Sequence, residues 1–137
     1  MRRTLIVVVI GIVGGLSLKV TTAEKAPDAY VAAMKSMAAA MPGLNAAVKE
    51  TDFAAVITQA TVLIDAMPVV QSYWTGKDTD GLKLANAAAK AAADLRVAAA
   101  LMSGDGIEYS AKEVTELCGQ CHAAHRERLA DGSFQIK

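Results

Sequence analysis

Residues 110–132 of the chain read SAKEVTELCGQCHAAHRERLADG, and this stretch holds both cysteines of the sequence. Ser110 and Glu113 fit the S-x-x-E capping box that begins many helices. Apolar side chains follow at helical spacing, and Asp131-Gly132 supplies a residue suited to a left-handed helix end. The stretch therefore predicts a helix from Ser110 to about Gly132, with the sequence CGQCH of residues 118–122 near its middle.

The sequence CGQCH is a C-x-x-C-H motif, the pattern of haem c attachment. Each thiol, that of Cys118 and that of Cys121, adds to one vinyl group of a haem, and the two-residue gap matches the spacing of the vinyls. The next residue, His122, then directs its imidazole toward the iron. The motif predicts one covalent haem c with His122 as the proximal iron ligand.

Three other chemistries use two neighbouring cysteines: a disulfide, a zinc half-site and a thioredoxin-like redox pair. A zinc site needs more ligands, and His125 is the one further histidine of the chain. A thioredoxin-like pair belongs to a strand-to-helix junction, for which the sequence has no strand signal. A disulfide within one helix would be strained. Haem attachment is favoured over all three.

The chain between residue 24 and the motif is rich in alanine, the best helix former, and has no strand-like alternation. A first helix is predicted from Pro27-Asp28 to about Lys49, with a kink or break at Pro42. A second helix opens at Thr51 or Asp52, which are good N-caps, and ends around Met67-Pro68.

A third helix is predicted from about Gly81 to Met102, capped by Asp78 or Asp80. Four amphipathic helices with mostly short connections indicate an all-α fold, an antiparallel four-helix bundle. Small side chains on the third helix leave room for a bulky planar group between helices, although helix propensity alone explains them equally well. They are the alanines at positions 85, 88, 89, 92 and 93.

Residues 1–23 differ from the rest of the chain. They carry Arg2, Arg3 and Lys19 but no acid, their residues 5–18 are almost wholly apolar or glycine, and they end at Ala23. This predicts a signal peptide cleaved after Ala23 and a single bundle domain of residues 24–137 in the periplasm. The apolar stretch is shorter than the roughly 20 residues of a membrane span, so no membrane association is expected after cleavage. An uncleaved N-terminal anchor is the alternative.

Without residues 1–23 the chain keeps 11 of its 14 basic residues and all 14 acidic residues, a net charge of −3. Binding to nucleic acid needs a concentrated basic surface, so nucleic acid is not an expected partner. The net charge is a weak indication of a basic protein partner.

With this motif on the last of four predicted helices, the chain resembles the class II cytochromes c. That family includes cytochrome c prime and its low-spin, methionine-ligated relatives. The resemblance covers residues 24–137 and is most specific in residues 118–126, CGQCHAAHR. Arg126 stands at the basic position of the family, which implies a place in the haem pocket, near a propionate or near the proximal imidazole, although an ordinary solvated arginine fits equally well. His125 stands where the family usually has Phe or Tyr.

The resemblance places Met34 at the position of the first helix that faces the distal side of the iron. Methionine there implies a low-spin iron with Met34 as the sixth ligand, and Met37 is the second choice. Met34, Met37 and Met41 share one helix face, a pattern that also suits plain core packing. The family often has arginine where this chain has Tyr30.

A periplasmic mono-haem electron carrier is the function that this resemblance implies, with redox proteins as partners and no enzymatic activity. A peroxidase would need a distal acid–base group, and the first helix offers only Lys35 beside Met34. The alternative is a five-coordinate cytochrome c prime that binds nitric oxide or carbon monoxide. The resemblance also implies a homodimer built on the first two helices. Tyr73 and Trp74 would pack against the porphyrin or cover one end of the bundle.

The motif generates a first prediction, that the haem is covalently held. Heating in denaturant followed by acid–acetone extraction should leave the haem on the polypeptide, because thioether bonds survive both treatments. The double variant Cys118→Ala/Cys121→Ala should lose it, as measured by absorbance of the protein fraction. Extraction of all haem from the unmodified protein would contradict the attachment.

Overall fold

The computed structural model describes residues 24–137, and the predicted signal peptide lies outside them. The described residues form four helices, α1 (Asp28–Glu50), α2 (Phe53–Trp74), α3 (Thr79–Ala100) and α4 (Gly104–His125). Connections of two to four residues join them, so successive helices run antiparallel. The predicted helical bundle is confirmed.

Packing between the helices is uneven. The pairs α1–α2, α2–α3 and α3–α4 contact one another along much of their lengths, whereas α1 and α4 touch at few positions. The end of the bundle beside the α1–α2 and α3–α4 connections carries fully buried core side chains, those of Leu44, Val56, Leu95 and Ile107. Farther along the helices a gap remains between α1 and α4, and this gap positions the site described below.

Aspartate side chains cap the start of α2 and of α3. The Asp52 side chain accepts a hydrogen bond from the Ala55 N–H at 3.0 Å and begins α2. Asp78 accepts one from the Gly81 N–H at 2.7 Å and begins α3. Both caps satisfy a helix N–H group that would otherwise have no partner, and both were among the predicted capping residues.

The two interior prolines do not end their helices. Pro42 lies inside α1 and Pro68 inside α2, so the break predicted at Pro42 and the helix end predicted at Met67-Pro68 were wrong. A proline inside a helix costs about 3 kcal/mol. The turns that follow bury Leu44 and Val70, and each large apolar side chain contributes about 1.5–3 kcal/mol when buried. The free energy gained by burying these side chains therefore outweighs the cost of each interior proline.

The start of α4 also differs from the prediction. The Ser103 side chain accepts a hydrogen bond from the Gly106 N–H at 3.2 Å, so α4 begins at Gly104 rather than at Ser110. Ile107 is fully buried in the first turns and anchors them. Ser110 is itself buried inside the helix, so its capping box is not used. The Ser-Gly-Asp-Gly stretch of residues 103–106, just after the predicted end of the third helix, therefore starts α4.

The end of α4 was likewise misplaced, because the helix stops at His125. Strand β1 (Arg126–Arg128) then pairs antiparallel with β2 (Phe134–Ile136). Gly132 has the expected left-handed backbone, with φ of 85°, but it lies in the hairpin turn and not at a helix end. The backbone of Glu24 pairs with Ile136 through two hydrogen bonds of 3.0 and 3.1 Å, which ties the start of the described chain to the hairpin.

Helix α2 has an unusually apolar composition. By length and composition alone it could cross a membrane, with a mean hydropathy of 1.8 over its most apolar window. In the bundle it packs against both α1 and α3, and it buries side chains that include Leu63, Met67 and Trp74. About 28% of that window is buried inside the bundle.

Trp74 closes one end of the bundle and explains the glycine at position 81. The Trp74 side chain is buried, and its ring lies directly on the backbone of Gly81. A Cβ atom at position 81 would stand 2.5 Å from Cε3 of Trp74. The close approach of α2 to the first turn of α3 therefore requires glycine.

The variant Gly81→Ala should destabilise the protein by about 1–3 kcal/mol, because the added methyl group overpacks this contact. Urea unfolding followed by circular dichroism measures the effect. Gly104→Ala is the matched control, since a Cβ there meets open space, and it should change the free energy of unfolding by less than about 1 kcal/mol.

The cost of Gly81→Ala should shrink in a Trp74→Phe background, where the smaller ring leaves room for the methyl group. Equal losses at positions 81 and 104, or an unchanged cost in that background, would contradict the proposed contact.

Candidate functional site

Two adjoining cavities fill the gap between α1 and α4. The first has a volume of about 300 Å³ and the second about 560 Å³. They share four lining residues, Met34, Ala38, Cys121 and His122. Ligand sites of proteins have volumes of roughly 300–1,000 Å³, so the pair is large enough for a cofactor.

One wall of the first cavity is the C-terminal part of α4. Cys121 and His122 follow Cys118 by three and four residues, which places all three on one face of the helix. All three are half-buried and line the first cavity. The structure therefore brings the three residues of the predicted haem motif together on one concave surface.

The opposite wall is formed by α1, through methionine side chains. Met34, Met37 and Met41 all line the first cavity, and Met34 alone of the three also lines the second. Met67 of α2 lines the first cavity as well, which sequence reasoning missed. Its spacing from Leu63 and Val70, four and three residues, was the signal that could have placed it on the same face.

The floor of the first cavity comes from α3, where the small residues matter. Ala85 and Ala88 line the first cavity, as expected for side chains that leave room for a planar group. The other three alanines of that predicted set do not line either cavity, and Ala92 is fully buried in the core. Two of the five predicted alanines therefore line the first cavity.

The second cavity differs from the first in its charge. Lys35 of α1 and Arg126 of β1 both line it, and no carboxylate side chain is among the described residues that line either cavity. The Arg126 guanidinium lies over the Phe134 ring, 4.3 Å from its centroid. Arg126 was expected near the site, whereas Lys35 was considered only as an acid–base group beside Met34.

Burial sets the protonation of the motif residues. It raises the pKa of the Cys118 thiol, and it raises the pKa of the Cys121 thiol with smaller contributions from Cys118 and Asp78. Burial lowers the pKa of His122, and the Arg126 charge lowers it further. At neutral pH the thiols are protonated and the imidazole is neutral, the form in which histidine binds a metal.

The raised thiol pKa values bear on the alternatives for the cysteine pair. Redox-active pairs of the thioredoxin type depend on a thiol pKa lowered well below its usual range, the opposite of the shift here. Both cysteines lie in the described part and carry free thiols. Within that part, no group of three or more histidine, cysteine or carboxylate side chains is placed to hold a metal ion.

An aromatic cluster stands beside the second cavity. The Tyr30 ring is 4.4 Å from that of Tyr73, and the Trp74 ring is 4.6 Å from that of His125, measured between centroids. Tyr30 and His125 line the second cavity, whereas Tyr73 and Trp74 line neither cavity and cover the end of the bundle. Of the two predicted roles for Tyr73 and Trp74, the structure supports the second.

Three polar groups of this cluster are buried. Nε1 of Trp74 and Nε2 of His125 have no hydrogen-bond partner among the described residues, and His125 Nε2 lies 4.0 Å from Oδ1 of Asp78. Burial raises the pKa of Tyr30 to about 12, so its hydroxyl stays protonated at neutral pH. Tyr30 therefore adds no charge to the second cavity at neutral pH, and Lys35 of α1 supplies a cation there.

Comparison of the chain with models of protein families, with curated proteins and with solved structures finds no match. The resemblance to the class II cytochromes c therefore stays a prediction that rests on the motif and on the helix order.

The folded, haem-free chain should react slowly with iodoacetamide near neutral pH. The thiolate is the reacting form, and burial raises the pKa of both thiols above its ordinary value. The rate of alkylation should therefore still rise with pH in the range where the rate for an exposed cysteine no longer changes. Mass spectrometry of the alkylated peptides measures it, with the same chain in denaturant as the fast control. Reaction faster than that control at neutral pH would instead indicate a thioredoxin-like pair.

Proposed function

We propose that this chain is an exported mono-haem c-type cytochrome that carries electrons. The observation that carries the proposal is the position of the C-x-x-C-H motif on the wall of an apolar cavity, opposite methionine side chains of α1. Export to the periplasm is part of the proposal and rests on the composition of residues 1–23.

The residues of both cavities suit a haem. The first cavity is lined by apolar side chains apart from the motif itself, which fits the hydrophobic macrocycle. The second cavity adds Lys35 and Arg126, which fit carboxylate groups at the edge of that macrocycle. A group with an apolar body and an anionic edge therefore matches the lining of the paired cavities.

Each motif residue has a distinct task in this proposal. Cys118 and Cys121 would hold the group by thioether bonds, and their raised pKa keeps the thiols protonated until they react. The neutral imidazole of His122 would supply a nitrogen ligand. A haem c held by imidazole and thioether supplies a one-electron couple of raised potential.

Met34 is the methionine that we propose would supply the second ligand of the iron. Met37, Met41 and Met67 line only the first cavity, whereas Met34 lines both cavities together with His122 and Cys121. Met37 is buried, with 7% of its surface exposed, and packs into the core. Of these methionines, Met34 is therefore the one that shares both cavities with the imidazole of His122.

Electron transfer is favoured over catalysis by the character of the first cavity. Outside the motif, its lining has no side chain that could donate or accept a proton. General acid–base chemistry needs such a group within hydrogen-bond reach of the reacting atoms. Gas binding would require an open position on the iron, and a methionine ligand would occupy that position. The absorption spectrum therefore distinguishes an electron carrier from a gas-binding protein.

The purified oxidised protein should be low-spin and show the weak near-infrared band of sulfur-to-iron charge transfer. Met34→Ala should remove this band, lower the midpoint potential and allow the reduced protein to bind carbon monoxide. Absorption spectroscopy and a redox titration measure all three effects.

Met37→Ala is the matched control, because it removes a methionine of the same helix face and should leave the band in place. Loss of the band in Met37→Ala but not in Met34→Ala would keep the function and move the ligand by three residues. An unmodified protein that is high-spin and binds carbon monoxide freely would overturn the carrier and support the gas binder.

A further inference from the structure

A backbone bridge spans the gap between α1 and α4 at one end of the bundle. Residues 24–27 lead directly into α1, and the hairpin of β1 and β2 follows directly from α4. The Glu24 N–H donates to the Ile136 carbonyl at 3.0 Å, and the Ile136 N–H donates to the Glu24 carbonyl at 3.1 Å. Because α1 and α4 themselves touch at few positions, these two hydrogen bonds are a separate connection between the walls of the site.

The connecting segments also border the second cavity. We call residues 24–26 and the hairpin of residues 126–136 the strap. Several strap residues line the second cavity, and none lines the first; they are Ala26, Arg126, Ser133, Phe134, Gln135 and Ile136. His122 and Cys121 line both cavities, so the strap borders the larger of the two spaces that reach them.

An ion pair fastens the strap to a third part of the bundle. The Glu24 carboxylate accepts hydrogen bonds from Lys77 Nζ at 2.9 and 3.0 Å, and Lys77 lies in the connection between α2 and α3. The same ammonium group lies 4.2 Å from the centroid of the Tyr73 ring. We call the Glu24–Lys77 ion pair the latch. The latch and the backbone bridge act on the same residue, Glu24, so the latch favours the bridged conformation.

The strap is held more weakly than the helices. Of its residues only Ala26 is buried, and Ile136 is half-buried against the core. The two side chains of the latch keep 42% and 56% of their surface exposed, and exposed ion pairs contribute little to stability. Segments with few buried contacts open locally at a smaller free energy than the helices of a core. The strap is therefore expected to open while the bundle stays folded.

We propose that the strap is a gate, which controls the access of small molecules to the second cavity and so to His122 and Cys121. The inference goes beyond the proposed electron-carrier function, because it concerns access to the site whichever group fills it. When the bridge between Glu24 and Ile136 breaks, the hairpin stays attached to α4 and residues 24–26 stay attached to α1. The two parts of the strap then separate across the gap, and the cavity opens to solvent.

The two cysteines report on the gate in the haem-free chain. Cys121 lines both cavities, whereas Cys118 lines only the first. Iodoacetamide is small and uncharged, and it alkylates a thiol that local opening exposes. Opening of the strap should therefore raise the alkylation rate of Cys121 and leave that of Cys118 nearly unchanged. Fragment-ion mass spectrometry assigns the label to one cysteine or the other.

The variant Ile136→Pro removes one hydrogen bond of the bridge. The N–H that proline lacks is the one that donates to the Glu24 carbonyl. Its loss should raise the alkylation rate of Cys121 about fivefold, the effect of one hydrogen bond on the opening equilibrium. Ile136→Val is the matched control, because it keeps the N–H, and it should raise that rate by about twofold at most.

The variant Lys77→Met tests the latch without changing the hairpin. It removes the cation and keeps most of the alkyl chain, and it should raise the alkylation rate of Cys121 about threefold, within the range for one exposed ion pair. Lys90→Met is the matched control. It removes an exposed ion pair with Asp94 inside α3, away from the strap, and should leave the rate unchanged.

Amide hydrogen exchange gives a second readout, in the purified protein with its cofactor. The Ile136 N–H should exchange about threefold faster in Lys77→Met than in the unmodified protein. The Leu129 N–H, which donates to the Ser133 carbonyl at 2.8 Å inside the hairpin, should exchange at an unchanged rate. These two amides distinguish opening of the strap from unfolding of the hairpin.

Equal increases at Cys118 and Cys121 would overturn the gate, and so would a Cys121 rate that both Ile136→Pro and Lys77→Met leave unchanged. An effect of Lys90→Met as large as that of Lys77→Met would overturn it as well. An exported protein without covalent haem would refute the proposed function instead. The alkylation experiment would still decide the gate in that case, because it uses the haem-free chain.

Discussion

The incomplete packing of α1 against α4 is the constraint on which the site depends. Three of the four helix interfaces are closed, and the fourth leaves a cavity of about 300 Å³ lined almost entirely by apolar side chains. Apolar surface removed from water contributes roughly 25 cal/mol per Å², so an apolar group that filled this gap would stabilise the bundle. The wall of α4 carries the two cysteines and His122, and the wall of α1 carries the methionines.

The sequence indicated the helical bundle correctly but misplaced several helix ends. Asp52 and Asp78 were found because a capping side chain acts on an N–H group three residues away, which is a local effect. Pro42 was misjudged because its outcome depends on Leu44 burying itself against other helices, which no local pattern reports. The hairpin was missed because its strands have three residues each, too few to show alternation.

The candidate site was predicted in part for the same reason. Cys118, Cys121 and His122 are neighbours in sequence, so the helix alone places them together. The contributions of Met67 and Lys35 depend on how α2 and α1 pack, and only the folded chain shows them at the cavities.

The aromatic cluster links α1 to α4 close to Met34. Tyr30 lies about one turn before Met34, and its ring packs on Tyr73 and near Trp74 at the end of α2. Trp74 in turn packs against His125, at the end of α4, and against Gly81 at the start of α3. All four helices thus meet around Trp74, and at this end of the bundle the aromatic contacts join α1 to α4 through the Trp74 ring of α2.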